Sequence, residues 1–98
     1  MNISISDKAI KWFKEEVGLQ DNGKIKFYSQ IYGSSPVQEN YALAFTVDNE
    51  PVDMVVHTMV DGITFYVESA DLWFFNGHDL RVDYNETRDE LEYSYTKQ

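Results

Sequence analysis

The chain has 98 residues, seventeen acidic and eight basic, for a formal charge of −9 at pH 7, and it contains no cysteine. A chain of this length forms one domain around a single core, and the lack of thiols excludes disulfide frameworks, thiolate zinc sites, cysteine-ligated iron–sulfur clusters and cysteine nucleophiles. The negative charge repels phosphate backbones and anionic lipid headgroups, which argues against nucleic acid and membranes as partners.

Aromatic residues are 15% of the chain, enough large apolar area for a short chain to fold without a disulfide or structural metal. The opening MNISISDKAI has no basic region followed by an apolar core, and no apolar run is long enough to span a bilayer. A cytoplasmic protein is expected.

In chain order, residues 2–5 alternate as a short edge strand with Ile3 and Ile5 on one side. Ser6 is placed to cap a helix over residues 7–17, with Asp7 at the positive end of the dipole and Ala9, Ile10, Phe13 and Val17 on one face. Gly18 fits the left-handed position that ends it. A turn at Asp21, Asn22 and Gly23 leads to a half-buried strand over 24–32. In that strand Ile25, Phe27 and Ile31 oppose Lys24, Lys26, Tyr28 and Gln30.

Residues 33–40 have no periodicity and contain glycine, two serines, proline and asparagine, a loop longer than a tight hairpin needs. Strands follow at 41–47, with Tyr41, Leu43, Phe45 and Val47 on one face, and at 54–60. Asp61-Gly62 is the signature of a type I′ hairpin into a strand at 63–67. Ser69 is expected to cap one turn of helix over 70–75, ended by Asn76-Gly77, before strands at 79–84 and 90–95. The stretch VDGITFYVESADLWFFNGHDLRVDY organises the rest, because Trp73, Phe74 and Phe75 are too apolar to leave in water. The pattern predicts a mainly β protein with one N-terminal helix, its mostly antiparallel strands forming a small barrel or sandwich. Periodicity does not distinguish those two.

The segments ISISDKAIKWFKEEV, KIKFYSQIYGSS, YALAF, VDGITFYV and LWFFNGHDLRVDY together resemble the HesB-like, A-type iron–sulfur carrier family. The resemblance covers nearly the whole chain and is strongest to the small YneR-like branch. It implies a compact, mainly β fold with an amino-terminal helix and a tendency to form dimers. Cluster-binding members of that family carry one cysteine in the loop after the second strand and a Cys-Gly-Cys motif near the carboxy terminus. Here the first falls among Ser34, Ser35 and Pro36, and the second would lie beyond Tyr95, Thr96, Lys97 and Gln98. A serine hydroxyl is a poor substitute for a thiolate. The resemblance thus implies the fold without the cluster, and no cofactor is expected.

Other constellations are weak. His57 and His78, with Asp61 or Asp79, lack the local spacing of a zinc motif. The acidic turn Asp48, Asn49, Glu50 with Asp53 lacks the regular oxygen spacing and central glycine of an EF-hand. Carboxylate pairs such as Glu68 with Asp71, or Asp79 with Asp83, are common by chance in so acidic a chain, and Gly33-Ser34-Ser35 is not a nucleophile elbow. What stands out is a surface rich in tyrosine and tryptophan. Tyr28, Tyr32, Ser34, Ser35, Tyr41, Trp73 and His78 form the candidate partner or ligand surface. The expected function is a non-enzymatic module acting through protein contacts, as a homodimer with Tyr28 or Tyr32 in its interface. The alternatives are an accessory role in iron–sulfur assembly with thiolates from a partner, or small-molecule or metal binding in a pocket near residues 33–41.

Overall fold

The computed structural model describes residues 1–19 and 22–98. In order they form β1 (Ile3–Ile5), α1 (Asp7–Trp12) continued by a π-helical turn (Phe13–Val17), β2 (Lys24–Ile31), β3 (Tyr41–Val47), β4 (Val56–Val60), β5 (Ile63–Val67), a 3-10 helix (Ser69–Phe75), β6 (His78–Asn85) and β7 (Glu90–Lys97). Asp21, of the expected turn, lies outside the described residues.

The strands make two open sheets, β1-β6-β7 and β3-β2-β5-β4, and no closed barrel among the described residues. Both sheets are mixed. β1 runs parallel to β6 and β2 parallel to β5, whereas β2–β3, β4–β5 and β6–β7 are antiparallel. Neighbours in sequence pair antiparallel as expected; the two parallel pairings join strands distant in sequence, and side-chain alternation is the same in either direction.

Ser6 does cap the helix. Its hydroxyl oxygen accepts from the Ala9 N–H at 3.1 Å and its O–H donates to Asp83 Oδ1 at 2.7 Å, tying the helix start to β6. The helix is regular only to Trp12; the last five residues widen into the π turn, ended by Gly18 at φ +69°. At this junction two adjacent rings both lie edge-on to Phe45, Trp12 at 5.9 Å and Phe13 at 5.2 Å between centroids.

Ile25 and Phe27 of β2, Phe65 and Val67 of β5, Leu80 and Val82 of β6, and Phe13 are buried in one core between the sheets. Phe27 bridges the layers, stacked on Phe65 at 6.1 Å within its own sheet and edge-on to Tyr93 of the other at 6.1 Å. Fully burying one such ring contributes about 2–3 kcal/mol. Phe74 and Phe75 close one end of this core against Tyr95. The aromatic block is therefore core at two positions and surface at the third, since Trp73 is 48% exposed.

Further differences from expectation are local. Ile31 is 59% exposed and Val47 43% exposed; they lie at opposite ends of the β2–β3 ladder, Ile31 paired with Tyr41 and Val47 with Ile25. The strand expected at 54–60 begins at Val56. Ser69 does not cap the 3-10 helix; Glu68 holds the N-cap position, and its carboxylate accepts the N–H groups of Val52 at 3.4 Å and Asp53 at 2.9 Å. That contact folds the loop after β3 over Tyr66, whose hydroxyl donates to the Asp48 carbonyl at 2.9 Å. Tyr66 alternates onto the outer sheet face and is buried there nonetheless. The hairpin at Asp61-Gly62 is as predicted, with φ +51° and +80°, the two left-handed residues of a type I′ turn.

Candidate functional site

The site is built where β2 outlives its neighbour. β5 pairs with β2 only as far as Phe27 opposite Val67, so the N–H of Ser29 has no strand to bond. Asp71 supplies the acceptor: its Oδ1 takes the Ser29 N–H at 3.2 Å and the Ser29 hydroxyl at 2.8 Å. This fastens the 3-10 helix across the sheet end and presents Leu72 and Trp73 outward, 37% and 48% exposed. Trp73 is braced edge-on by Tyr41 at 5.0 Å, and its carbonyl accepts from Gln38 Nε2 at 3.4 Å. Ile31 pairs with Tyr41 at the strand end, and Tyr32, one residue beyond it at φ +72°, is 97% exposed.

The sequence-marked residues are distributed unevenly around this feature. Tyr32, Tyr41 and Trp73 border it. Tyr28 does not, being half-buried on the outer face of β2 opposite Ala44, and the left-handed Tyr32 breaks the alternation that would have put both rings on one strand face. Ser34 is exposed, but Ser35 serves the loop, its Oγ accepting from Gln38 N at 3.0 Å. His78 caps the Asn76-Gly77 turn: Nδ1 lies 2.9 Å from the Phe75 carbonyl and 3.0 Å from that of Asn76. Both are acceptors only, so Nδ1 carries the proton. The functional neighbours that the sequence reading passed over are Ile31, Leu72, Gln38 and the Ser29–Asp71 pair. Ser29 could have been found as the one polar residue on the Ile25, Phe27, Ile31 face.

The carboxylates are structural acceptors. Asp79 Oδ1 takes Gln98 Nε2 and the Asn2 N–H, each at 2.7 Å, which hold its carboxyl below the ordinary carboxylate range. The Ser6 hydroxyl, and then the Tyr84 N–H, do the same for Asp83. Asp48 accepts from Glu50 N at 3.0 Å and pairs with Lys26 at 3.3 Å. His57 and His78 sit in different sheets, and among the described residues no three His, Asp or Glu side chains gather as a metal site would need. A concavity of about 250 Å³ opens beside the 3-10 helix, walled by Val56, Leu72, Phe75 and His78; the 33–41 loop takes no part in it.

The loop after β2 reaches the 3-10 helix through Gln38 on Trp73, and the end of β7 reaches the same segment through the Gln98 N–H on the Gly77 carbonyl at 3.1 Å. The model of the iron-sulphur cluster biosynthesis family matches residues 1–98, and the chain belongs to that HesB-like family as a member without cysteine. Within it the chain is YneR-like. It is 39% identical over 95 residues to the protein named pyruvate dehydrogenase inhibitor of Bacillus subtilis, covering 97% of this chain and 99% of that one. Uncharacterized proteins of Staphylococcus saprophyticus and Staphylococcus haemolyticus are 33% and 30% identical, the first over 96% of this chain and 98% of its own, the second over 99% and 100%. No helix among the described residues is long and apolar enough to cross a membrane.

Proposed function

We propose that this chain is a non-enzymatic, cytoplasmic regulator that acts by binding a pyruvate dehydrogenase assembly through the end bearing Ile31, Tyr32, Leu72 and Trp73. The observation that carries this reading is the contrast at that end. Asp71, Ser29, Ser35 and His78 are spent on internal bonds there, while Ile31, Tyr32, Leu72 and Trp73 leave between 37% and 97% of their surface in solvent. Exposed aromatic anchors are what protein interfaces concentrate. The name of the Bacillus relative supplies the target class, and near-complete mutual coverage supports carrying it over.

The test is a steady-state assay of purified pyruvate dehydrogenase complex with the chain added at increasing ratio, alongside the double variant Tyr32→Ser, Trp73→Ala. The wild type should lower the rate, and the variant, folded by circular dichroism, should need at least about tenfold more protein, as for removal of interface hot spots. A wild type without effect, or a variant equally potent, rejects the proposal.

A second reading is an accessory role in cluster assembly with a partner's thiolates. It is supported by the family and by the approach of the β2 loop and the β7 end to one segment. Anaerobic iron and sulfide should then give visible absorption only when a thiol-bearing partner is present.

A further inference from the structure

β3 is an edge strand, with β2 on one side and no strand on the other. Which of its backbone groups are free follows from the ladder. The Asp48 N–H donates to the Lys24 carbonyl at 3.1 Å, and bonded pairs recur at every second residue of the register that sets Lys26 against Thr46 and Tyr28 against Ala44. Ala42, Ala44 and Thr46 therefore bond inward to β2, and Tyr41, Leu43, Phe45 and Val47 direct their N–H and C=O groups outward. The far side of β2 obeys the same parity: the Gly23 carbonyl accepts from Thr64 and the Ser29 N–H goes to Asp71.

Edge strands are ordinarily blunted by charge, proline, a bulge or a cover. β7 carries Glu90, Glu92 and Lys97, and the edges of β1 and β4 lie against each other. β3, reading YALAFTV, has no charged residue and no proline, in a chain of net charge −9. It is the one edge left without such protection among the described residues.

We infer that β3 pairs antiparallel with β3 of a second copy about a two-fold axis through Ala44, joining two four-stranded sheets into one. The inference rests on the reading of the chain as a protein-contact module. The register follows from the sequence. Full overlap of the seven residues with outward groups facing one another sets Ala44 on Ala44, Leu43 on Phe45 and Tyr41 on Val47. The axis then falls on a non-bonded pair, where Cα atoms approach to about 4.5 Å and two alanines fit. The core-side pairs are aromatic on aliphatic, the favourable class, and no like charges meet. Tyr28, next to Ala44 across the ladder, flanks the alanine pair from each copy. Half-exposed Val47 gains the cover of Tyr41. What selects a second copy as occupant is the side-chain match in this register: small on small at the axis, aromatic on aliphatic on either side of it, and no charge on either strand.

Light scattering and amide exchange on the wild type test this together. The expected mass is twice the 11.4 kDa of the chain, and as concentration rises the amides of Tyr41, Leu43, Phe45 and Val47 should slow while those of Ala42, Ala44 and Thr46, already bonded to β2, do not change. Ala44→Lys, which sets two ammonium groups at the axis, and Val47→Pro, which removes an outward N–H, should each give a folded protein of single-chain mass. A wild type monomeric at high concentration overturns the inference, as does a dimer whose outward β3 amides exchange freely or one that persists in both folded variants. The Tyr32, Trp73 surface is untouched by these changes, so inhibition that survives a failed dimer leaves the proposed function standing, and loss of inhibition with an intact dimer rejects that function alone.

Discussion

Replacing Phe74 by alanine separates the buried part of the aromatic block from its exposed part. Phe74 is fully buried, with its ring 5.2 Å from Phe75, 6.2 Å from Trp73 and 6.1 Å from Tyr95. Those neighbours belong to the 3-10 helix and β7, which are fixed by their own hydrogen bonds and do not collapse into the hole. The cost should be about 3–5 kcal/mol, against a total of about 5–15 kcal/mol for a domain of this kind. At roughly 4 °C or more per kcal/mol, the melting temperature should fall by at least about 12 °C. Trp73 has half its surface in water already, and its removal opens onto solvent; Trp73→Ala should cost about 1–2 kcal/mol. Thermal and urea unfolding followed by circular dichroism measures both. Equal losses for the two variants, or an unchanged melting temperature for Phe74→Ala, would refute the assignment of this block to core and surface.

A Cβ at Gly33 would stand 2.5 Å from the Cβ of Ala42, so Gly33→Ala should destabilise by about 1–3 kcal/mol, with partial recovery when Ala42→Gly is added, a coupling that urea titration of the four proteins resolves. Gly62→Ala meets no atom within 4 Å but forces φ +80° on a residue with a side chain; a loss of about 1–2 kcal/mol is expected from backbone strain alone. Burial pushes the hydroxyls of Tyr66 and Tyr95 up to about 12, and that of Tyr93 upward as well. The unfolded chain, with tyrosines near 10, releases protons first, so stability is full below about pH 10 and is lost as pH rises towards 12; the share of the tyrosinate absorbance that belongs to these three rings should rise late and together with unfolding, and Tyr→Phe at each position identifies it. Since each copy carries −9, added salt should raise the dimer fraction in light scattering, through screening of the mutual repulsion.

The parts of the fold legible in the sequence were those written in short-range code. Ser6 as a cap, the Asp61-Gly62 turn and the inward residues Ile25, Phe27 and Leu43 follow from rules that act over a few residues. Parallel pairing of β1 with β6 and β2 with β5 was not legible, because it depends on where distant strands dock. Tyr66 shows the limit of alternation: its parity points outward, and a loop tied by Glu68 buries it. Glu68, not Ser69, stands at the start of the 3-10 helix, and its side chain bonds the Val52 and Asp53 N–H groups of a distant loop instead of capping the helix. At the candidate site, Tyr32, Tyr41 and Trp73 were marked by chemistry, while Ile31 was assigned to the core by a period that carries no information on tertiary cover, and it is 59% exposed.

Asp79 holds the Asn2 N–H and the Gln98 side-chain amide on the same oxygen. The order in which the chain visits its elements is therefore separable from the architecture. A short flexible linker could join these neighbouring residues, and the chain could be reopened in the exposed 33–40 loop or at the β4–β5 turn without breaking a strand. A version beginning at β3 and ending with β2 would keep every pairing of both sheets, while the step from β2 to β3 would change from a loop closure into the meeting of two free ends.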